Sequence, residues 1–468
     1  MKFKLYDSIK RDKIEFSPIK DKEVSVYICG PTVYDDAHLG HARSALSFDL
    51  LKRTLMALGY KVTLAKNFTD IDDKIINKLK DTNKSLEELT NYYINRYLED
   101  MEAIGVLRAD IEPKATESID AMESMIKKLL DSGCAYKLPN GDIYFDTSKD
   151  IKYGSISKTN IDDTQTQSRI DEVEGKKNPK DFALWKACKG DKDICFDTSL
   201  PSGRPGWHIE CSAMINKYFE GSEDYCIDIH CGGADLLFPH HENEAAQTRC
   251  ALNKEIAKYW MHNGFVTIDG EKMSKSLGNS FFLKDALKIY DGELLRYYLI
   301  SINYRNDFNF SEVDLINSKK RLDKLYRLKK RLFGIKKGKL NNAFKDELLE
   351  AMSDDLNSSK AFAIIDDMIN KANETLDKEP KNKSLKQELV ANIDFVCELL
   401  GIGCKDAIVW FQQGVSSEDK IKIEELIKQR MDAKKAKDYS KADKIRDELK
   451  SMGIELMDTP DGTKWEKV

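Results

Sequence analysis

The sequence predicts an open α/β fold built on a parallel sheet, followed by a helical C-terminal part. Residues 23–29 read EVSVYIC, an alternating β-branched and aromatic run typical of a strand, which Gly30 and Pro31 end. Beyond His41, alanine and leucine recur at helical spacing until Gly59. The last third is poor in glycine and carries charged residues at helical spacing, which is typical of packed amphipathic helices.

Composition excludes several classes of protein. The 468 residues are enough for several domains, and a net charge of −5 argues against indiscriminate nucleic-acid binding. The N-terminus lacks an apolar signal core and no stretch reaches membrane-spanning length, so we expect a cytoplasmic protein without membrane contact. Ten scattered cysteines indicate reduced thiols and a metal site rather than a disulfide framework.

A short motif, HLGH at residues 38–41, stands between the first strand and its helix. Ligands of open α/β sheets bind beyond the carboxyl ends of strands, where helix N-termini also favour anions. His38 and His41 therefore fall where phosphates would lie. The alternative is a loop with two helix-capping or surface histidines.

A second motif, KMSKS at residues 272–276, follows a predicted strand at 264–268 and a two-residue turn, Asp269-Gly270. The ammonium groups of Lys272 and Lys275 can stay in contact with the β- and γ-phosphates of a nucleoside triphosphate as charge develops on the leaving pyrophosphate. The small serines allow the backbone to approach closely. Alone, this segment could be a solvated Lys/Ser turn. Together, the two motifs predict an ATP site.

Four potential metal ligands are dispersed along the chain. His240 and Glu244 are four residues apart, which places both on one helical face. The adjacent His241 and Glu242 are expected to point elsewhere on the helix, where they could still support the metal ligands or contact substrate. Two thiols, an imidazole and a carboxylate suit Zn²⁺. Alternatives are buried free cysteines, or a zinc hydrolase with Glu244 as base. The four predicted ligands are Cys29, Cys211, His240 and Glu244.

HLGH followed by KMSKS resembles the class I aminoacyl-tRNA synthetases, and CGPTVYDDAHLGHAR at residues 29–43 is similar to the cysteinyl-tRNA synthetases. Further matches are GWHIECSAM at 206–214, DIHCGGADLLFPHHENE at 228–244 and DGEKMSKSLGN at 269–279. The resemblance maps the family's zinc ligands onto the four residues named above. Cys231 departs from the family's usual glycine, and either it or Cys226 could compete for metal.

The resemblance also implies roles for individual residues. It places Cys29, Thr69 and Trp207 in the amino-acid pocket, although Trp207 could instead be core packing. It places adenosine contacts at Gly232, Gly233 and Asp235. The remaining ATP contacts that it implies are His38, Gly40, His41, Lys272, Ser274 and Lys275, with His38, His41, Lys272 and Lys275 stabilising charge during catalysis.

The expected architecture is a Rossmann-type catalytic domain with an inserted connective segment, then an α-helical bundle domain and a small C-terminal domain. Local patterns and the resemblance together set the boundaries. The segments are the first Rossmann half at 1–113, the connective segment at 114–200, the second Rossmann half at 201–258, a stem-contact region with the KMSKS loop at 259–314, a helical tRNA-binding bundle at 315–405 and an anticodon-binding module at 406–468.

Charge is concentrated in one C-terminal stretch. Residues 319–339 hold eleven basic residues against the single acidic Asp323, a net +10. Apolar residues at helical spacing predict that one face packs while the other displays lysine and arginine. This basic face fits tRNA phosphates, or it is simply solvated. Near the C-terminus, Trp465 could stack on an unpaired base or anchor the tail.

The function that the resemblance implies is cysteine–tRNA ligation. Cysteine and ATP, with Mg²⁺, would form cysteinyl-adenylate and pyrophosphate, and the cysteinyl group would pass to the 3′-terminal ribose of tRNA(Cys). One Zn²⁺ per chain would distinguish a thiolate from a serine hydroxyl, expanding to five-coordination. The expected state is a monomer. Two rivals are a ligase that joins cysteine to an amino sugar and a non-catalytic tRNA-binding protein.

Overall fold

A computed structural model describes residues 1–158, 175–190, 193–268, 271–272, 281–459 and 462–467. The chain forms two compact units. The first comprises Met1–Ile316 with Asp346–Ile364, and the second comprises Asn317–Lys345 with Ile365–Val468. No described helix combines the length and the apolar character that crossing a bilayer requires.

Strands and helices of the described residues are numbered in chain order. The strands are β1 Lys4–Asp7, β2 Asp12–Glu15, β3 Glu23–Ile28, β4 Lys61–Lys66, β5 Ala135–Lys137, β6 Ile143–Phe145, β7 Phe182–Ala187, β8 Gly203–Pro205, β9 Tyr225–Gly233, β10 Glu255–Asn263, β11 Val266–Ile268, β12 Glu271–Lys272, β13 Phe308–Phe310, β14 Ile454–Thr459 and β15 Gly462–Lys467. The helices are α1 Leu39–Ala57, α2 Asp73–Lys80, α3 Leu86–Ala103, α4 Ile119–Asp131, α5 Trp207–Tyr218, α6 Glu242–Leu252, α7 Leu283–Ile289, α8 Gly292–Leu299, α9 Glu312–Arg331, α10 Asn342–Ser353, α11 Ser358–Lys378, α12 Lys383–Leu400, α13 Ala407–Phe411, α14 Ser417–Lys435 and α15 Tyr439–Ser451.

The central sheet is parallel, with strand order β10-β9-β3-β4. It joins the two predicted halves of the α/β domain, because β3 and β4 precede the inserted segment and β9 and β10 follow it. Strand order reverses between β3 and β9. Such a switch point opens a crevice beyond the carboxyl ends of the strands, where ligands bind.

The sequence predicts a helix start at residues 85–88, which read SLEE and match the capping-box pattern, and a hairpin at Asn140-Gly141, and the structure confirms both. The Ser85 hydroxyl accepts from the Glu88 amide and Glu88 returns the bond, so a capping box opens α3 as expected. Asn140-Gly141 joins β5 to β6, with Gly141 at φ 91°, a conformation that favours glycine. The inserted segment forms the antiparallel sheet β5-β6-β7-β8, and part of its polar stretch, 159–174, lies outside the described residues.

The C-terminal unit ends in a small helix-and-hairpin core. Residues 417–450, whose sequence predicts a charged amphipathic segment, form helices α14 and α15, and the β14–β15 hairpin follows them. Trp465 is only 3 % exposed and its Nε1 donates to Glu424 Oε1 at 2.7 Å. Of the two roles considered for Trp465, the structure supports anchoring of the tail. Pro460 and Asp461, at the predicted turn, lie outside the described residues.

Two cysteine pairs differ from the expectation of reduced thiols. The structure joins Cys188 to Cys195 and Cys397 to Cys404, each pair seven residues apart, with Cα atoms at 6.0 and 5.1 Å. Composition alone carries no information about which cysteines approach each other in the folded chain. The other six cysteines are free thiols.

Candidate active site and metal centre

A cleft of about 560 Å³ opens at the switch point of the central sheet. Its walls come from the loop after β3, the start of α1, the residues after β9 and the segment between β10 and β11. These walls are strand ends and helix N-termini, and Tyr97 from the middle of α3 also lines the cleft. The cleft is lined by Cys29, His38, Gly40, His41, Trp207, Gly233 and Asp235, among others.

His38 and His41 cap α1 and line the cleft at the same time. His38 Nδ1 accepts from the Gly40 amide at 3.1 Å, and His41 Nδ1 accepts from the His38 amide at 3.2 Å. The rings stack with centroids 3.8 Å apart. Because each Nδ1 is an acceptor, a neutral ring carries its hydrogen on Nε2 and can donate from there. The capping alternative and the phosphate-binding hypothesis are therefore compatible.

Gly40 is explained by the same capping arrangement. A Cβ atom added at Gly40 would lie 2.8 Å from His38 Cε1, a distance that real Cβ atoms essentially never show. A side chain here would displace the His38 ring from its capping position. Gly40 therefore allows the His38 ring to stay beside the Gly40 amide, from which His38 Nδ1 accepts.

The KMSKS segment is described only at its beginning. Strand β12 ends at Lys272, which is paired with Thr267 of β11. Strand β11 begins at Val266, a residue of the cleft wall, so the segment starts beside the cleft. Ser274 and Lys275 lie outside the described residues, as does the predicted turn Asp269-Gly270.

The four predicted metal ligands lie together. Their candidate ligand atoms are all within 4.8 Å of one another, and three of the four residues are fully buried, with Cys29 half-buried at the cleft. Cys29 Sγ lies 3.7 Å from Cys211 Sγ and 3.5 Å from Glu244 Oε1. His240 Nε2 lies 2.8 Å from Glu244 Oε1. A soft and borderline donor set at this spacing fits a transition-metal ion such as zinc.

The electrostatics of this cluster favour positive charge at its centre. Burial alone would lower the pKa of His240, but the Glu244 carboxylate raises it to about 10. Burial opposes ionisation of Glu244, yet His240 and His230 hold its pKa well below the usual range. Burial also raises the pKa of Cys211, while hydrogen bonding from Cys29 and the nearby His240 bring it to about 7. A metal cation satisfies the same preference.

His241 does not point away from the cluster as expected. Its Nε2 lies 3.3 Å from Cys29 Sγ, and it belongs with Cys29, His230 and Glu244 to a second possible ligand set. The reason is local geometry: the chain kinks at Phe238, whose φ of −140° and ψ of 133° are not helical, and α6 begins only at Glu242. His241 therefore lies in the approach to α6 and not within a regular helix. Glu242 does face elsewhere, accepting from the amides of Ile156 and Ser157 at 2.9 Å each.

Further histidines surround the predicted ligands. His208 Nδ1 lies 2.9 Å from His240 Nδ1, and His262 Nε2 lies 2.8 Å from His241 Nδ1. His230 Nε2 lies 2.7 Å from Glu244 Oε2. Such contacts orient the rings and carboxylate that would bind metal. The sequence signals for them were the position of His208 and His230 within the quoted family motifs and the confinement of all seven histidines to the first 60 % of the chain.

Cys226 and Cys231, considered as competing ligands, are not in either described ligand set. Cys231 is fully buried in β9, and its backbone carbonyl accepts from the Cys29 amide at 3.2 Å. Burial raises the pKa of the Cys231 thiol well above its ordinary value and that of Cys226 to about 11. Both thiols therefore act as apolar packing groups.

Two residues predicted for the amino-acid pocket occupy different environments. Trp207 opens α5, remains 39 % exposed in the cleft wall and stacks on His240 with centroids 4.2 Å apart. Thr69 is 1 % exposed, and its hydroxyl donates to Glu210 Oε2 at 2.7 Å. Trp207 shares a helical face with Cys211, four residues later, which brings an aromatic wall to the metal cluster.

The proposed adenosine contacts lie at the carboxyl end of β9 and just beyond it. Gly233 and Asp235 line the cleft. Gly232 has a packing reason of its own, because a Cβ atom there would lie 2.7 Å from His241 Cε1. The close approach of β9 to His241 therefore depends on this glycine.

Lys66 is a cleft residue that the sequence analysis missed. It ends β4, opposite Ile28 of β3, and contacts the hydroxyl of Tyr97. Burial lowers the pKa of Lys66 to about 8. Its position at the carboxyl end of a strand beside β3 was the signal that could have identified it.

Comparison with known proteins agrees with this geometry. Residues 15–320 match the family described as tRNA synthetases class I (C) catalytic domain, and residues 348–405 match the DALR domain. The chain is 65 % identical over 463 residues to a cysteine–tRNA ligase of a Sulfurovum species, covering 99 % of each chain. It is 64 % identical over 465 residues to that of a Nitratiruptor species, covering 99 % of this chain and 100 % of the relative.

Solved structures share the fold at low identity. A Mycobacterium tuberculosis methionyl-tRNA synthetase in complex with methionyl-adenylate aligns with a TM-score of 0.60 at 15 % identity, covering 81 % of this chain and 92 % of that one. The parallel sheet, the cleft at its switch point and the full-length relatives lead to one assignment. The chain belongs to the class I cysteine–tRNA ligase family.

Proposed function

We propose that this chain activates L-cysteine with ATP and transfers it to tRNA(Cys) within the cleft at the switch point. One observation carries the proposal: Cys29 belongs to the metal cluster and also lines the cleft that His38 and His41 enter. A substrate cysteine whose side chain lies at the metal cluster would therefore place its α-carboxylate toward His38 and His41.

In the first step, the cysteine carboxylate attacks the α-phosphate of ATP. A bond forms between a carboxylate oxygen and the α-phosphorus, which gives the mixed anhydride cysteinyl-adenylate, while the bond between the α-phosphorus and pyrophosphate breaks. Negative charge therefore moves onto the leaving pyrophosphate. The Nε2 hydrogens of His38 and His41 support that charge by donating to phosphate oxygens. Lys272 and Lys275 are assigned the same task, and Gly233 and Asp235 are assigned to adenosine.

In the second step, a ribose hydroxyl of the 3′-terminal adenosine attacks the cysteinyl carbonyl, and AMP leaves. Resemblance to class I enzymes favours the 2′-hydroxyl. No protein side chain acts as a nucleophile in either step. Catalysis rests on positioning and on donors aimed at the developing charge.

Selectivity for cysteine is assigned to zinc held by Cys29, Cys211, His240 and Glu244. Zinc there supplies a soft Lewis acid that prefers a thiolate to a serine hydroxyl. Trp207 forms the pocket wall that contacts the cysteine side chain, and Thr69 holds Glu210 in place by a hydrogen bond. Packing alone separates near-isosteres such as cysteine and serine poorly. The metal bound by these four residues would therefore distinguish the two amino acids.

The same proposal includes Mg²⁺ bound with ATP, a cytoplasmic location, a monomeric state and the six-segment division of the chain given above. In that division, residues 315–405 bind tRNA and residues 406–468 read the anticodon. The basic face of α9 supports the first assignment.

Charging a total tRNA pool with each radiolabelled amino acid in the presence of ATP tests the function directly. The expected result is charging with cysteine alone, with serine inactive. Cysteine-dependent ATP–pyrophosphate exchange without charging of any tRNA would instead indicate a ligase for another acceptor, such as an amino sugar. Loss of both reactions would indicate a non-catalytic tRNA-binding protein.

A further inference from the structure

Lysine ammonium groups sit over tyrosine rings at three points along one side of the cleft. Lys66 Nζ lies 4.7 Å from the Tyr97 ring centroid, Lys74 Nζ 5.6 Å from that of Tyr34, and Lys78 Nζ 4.7 Å from that of Tyr93. We call this set of six residues the Lys/Tyr surface. None of its members has a role in the adenylation chemistry proposed above.

Helical spacing builds the Lys/Tyr surface from two stripes. Lys74 and Lys78 are four residues apart on α2, and Tyr93 and Tyr97 are four residues apart on α3, so each pair shares one face of its helix. The contact between Lys78 and Tyr93 joins the two stripes. The surface is therefore continuous across both helices.

The Lys/Tyr surface leads out of the cleft. Tyr34, Lys66, Lys74 and Tyr97 line the cleft itself. Exposure then rises along α3, from 5 % at Tyr97 through the half-buried Tyr93 to 48 % at Tyr92, where Lys84 Nζ lies 4.8 Å from the ring. The path thus runs from a buried end at the active site to open surface.

Nearby carboxylates are engaged in other contacts. Asp72 caps α2 by accepting from the Lys74 amide, and Asp73 is bound by Lys186 and Arg204. The exception is Asp35, which lies 3.8 Å from Lys78 Nζ, a long ion pair at half-buried positions. Lys66 Nζ contacts the Tyr97 hydroxyl and has no ion-pair partner within 4.0 Å among the described residues, so an anionic ligand can still pair with its charge.

Alternating cations and aromatic rings along a groove are the features that bind single-stranded nucleic acid. Tyrosine rings stack on bases, and lysines track the phosphates. A duplex offers neither exposed base faces nor access to a groove that narrows to a buried tyrosine. The acceptor in the second step must reach the adenylate through an opening of this kind.

We propose that the Lys/Tyr surface binds the single-stranded 3′ end of tRNA and guides it into the cleft. This proposal rests on the proposed function, because it assigns a path to the acceptor of that reaction. Tyr93 stacks on a base outside the cleft and Lys78 contacts a phosphate beside it. Lys66 and Tyr97 then meet the last nucleotide within the cleft.

Equilibrium binding of two RNAs tests the path without requiring catalysis. One is the intact tRNA(Cys) transcript, and the other is the same transcript without its single-stranded 3′ end. We expect the unaltered chain to prefer the intact RNA. Tyr93→Ala should lose at least about fivefold of that preference, the lower bound for one stacked base, and Lys78→Ala should reduce the preference because a phosphate contact is lost. Binding of the truncated RNA should stay within about twofold of the unaltered chain, because the duplex contacts are untouched.

Matched variants separate the contact from a general effect on the fold. Lys80→Ala removes an exposed lysine two residues from Lys78, on the opposite side of α2, and should leave the preference for intact RNA unchanged. Tyr93→Phe keeps the ring and should preserve the preference, as Lys78→Arg should by keeping the charge. Melting temperatures of all variants report on folding.

Two results would overturn the path: equal weakening of both RNAs, which indicates a general phosphate surface or a folding defect, or no change with either RNA. Failure of the proposed function has a different signature, namely absence of cysteine charging by the unaltered chain. Because binding is measured on uncharged RNA, the two failures are distinguishable.

Discussion

His38 shows how one side chain serves the fold and the chemistry together. Its Nδ1 accepts a backbone hydrogen bond that caps α1, and its ring lines the cleft. The cap fixes the tautomer, and the tautomer leaves Nε2–H as the donor. Folding of the helix terminus therefore prepares the catalytic group before any substrate arrives.

The two roles of His38 separate in one substitution. Asparagine is a good N-cap, so His38→Asn should leave the melting temperature close to that of the unaltered chain while removing the Nε2 donor. Cysteine-dependent ATP–pyrophosphate exchange should fall by about 10²–10³, as expected for loss of one preorganised donor. His38→Ala should lose stability as well. Exchange at the unaltered rate in His38→Asn would remove His38 from the catalytic set.

Helix α1 is held to α8 by a buried ion pair. Arg296 is fully buried, contacts Asp49 of α1 and donates to the Gly105 carbonyl at 2.8 Å. Asp49 also accepts from Arg53 at 2.7 Å and from the Leu107 amide at 2.8 Å. Because α1 carries both cleft histidines, this pair also fixes the position of the catalytic donors.

Removing one partner of that pair should be costly. Arg296→Met leaves Asp49 buried with a weaker counter-charge, and we expect the free energy of unfolding to fall by about 3–5 kcal/mol. Arg108→Met, in an exposed pair with Glu112, should cost no more than about 1 kcal/mol. Urea unfolding of both variants makes the comparison. Equal small losses would mean that the pair contributes little.

Lowering the pH should remove the stabilisation that the Asp49–Arg296 ion pair provides. Burial opposes ionisation of Asp49, but Arg296 and Arg53 lower its pKa below the ordinary value of 3.8. A lowered pKa in the folded state means that the stabilisation is present above the ordinary pKa and is lost as pH falls through the folded pKa. The stability gap between the unaltered chain and Arg296→Met should therefore narrow below about pH 4, which urea unfolding at several pH values measures.

Helix α9 packs by one face, as its sequence predicts, but displays fewer unpaired cations than its composition suggests. Leu322, Leu325, Tyr326 and Leu332 are at most 3 % exposed. Lys319, Arg321 and Arg331 form ion pairs with carboxylates of the same unit. Lys320, Lys324 and Arg327 remain exposed at a spacing that makes one stripe, which is the part of α9 suited to phosphate contact.

Salt dependence tests this stripe. If Lys324 contacts a phosphate of duplex RNA, Lys324→Ala should weaken tRNA binding and reduce the slope of log K against log salt by about 0.7–0.9. Lys319→Ala removes a lysine already paired with Asp323 and should alter the slope less. Binding titrations at several salt concentrations measure both. An unchanged slope in Lys324→Ala would mean that the stripe is only a solvated face.

The metal cluster depends on the whole catalytic unit, because its ligands come from the end of β3, from α5 and from the segment leading into α6. More than 200 residues separate Cys29 from His240 and Glu244. A metal held there would bind only the folded chain. Its binding free energy would therefore add to the stability of this unit.

Metal removal should affect stability and activity together. A chelator should lower the melting temperature and abolish cysteine-dependent exchange, and added zinc should restore both. Cys211→Ala should retain less than about a tenth of the metal held by the unaltered chain, by elemental analysis, because a lost ligand lowers affinity steeply. Cys226→Ala should retain it all. A full metal complement in Cys211→Ala would refute the ligand set.

Local sequence patterns were sufficient for strand β3, helix α1, the capping box of α3 and the placement of His240 and Glu244 on one helical face, since each depends on neighbours a few residues away. The family motifs added Cys29 and Cys211 to His240 and Glu244, and the structure brings these four residues together. The motifs contain His208 and His230 but gave them no role, and they revealed neither His262 nor the kink at Phe238 before His241. The contacts of these histidines cross between elements, so no periodicity encodes them.

Tertiary structure alone decided which surfaces became sites. The sheet order β10-β9-β3-β4 brings Cys29 beside His241 and places Lys66 in the cleft wall, and the same kind of packing buries Trp465 and pairs half of the basic side chains of α9. Periodicity and turn residues specify local conformation because their physics acts over one or two turns of chain. Which strand lies beside which is set by long-range burial and register, and these become definite only when the whole unit has folded.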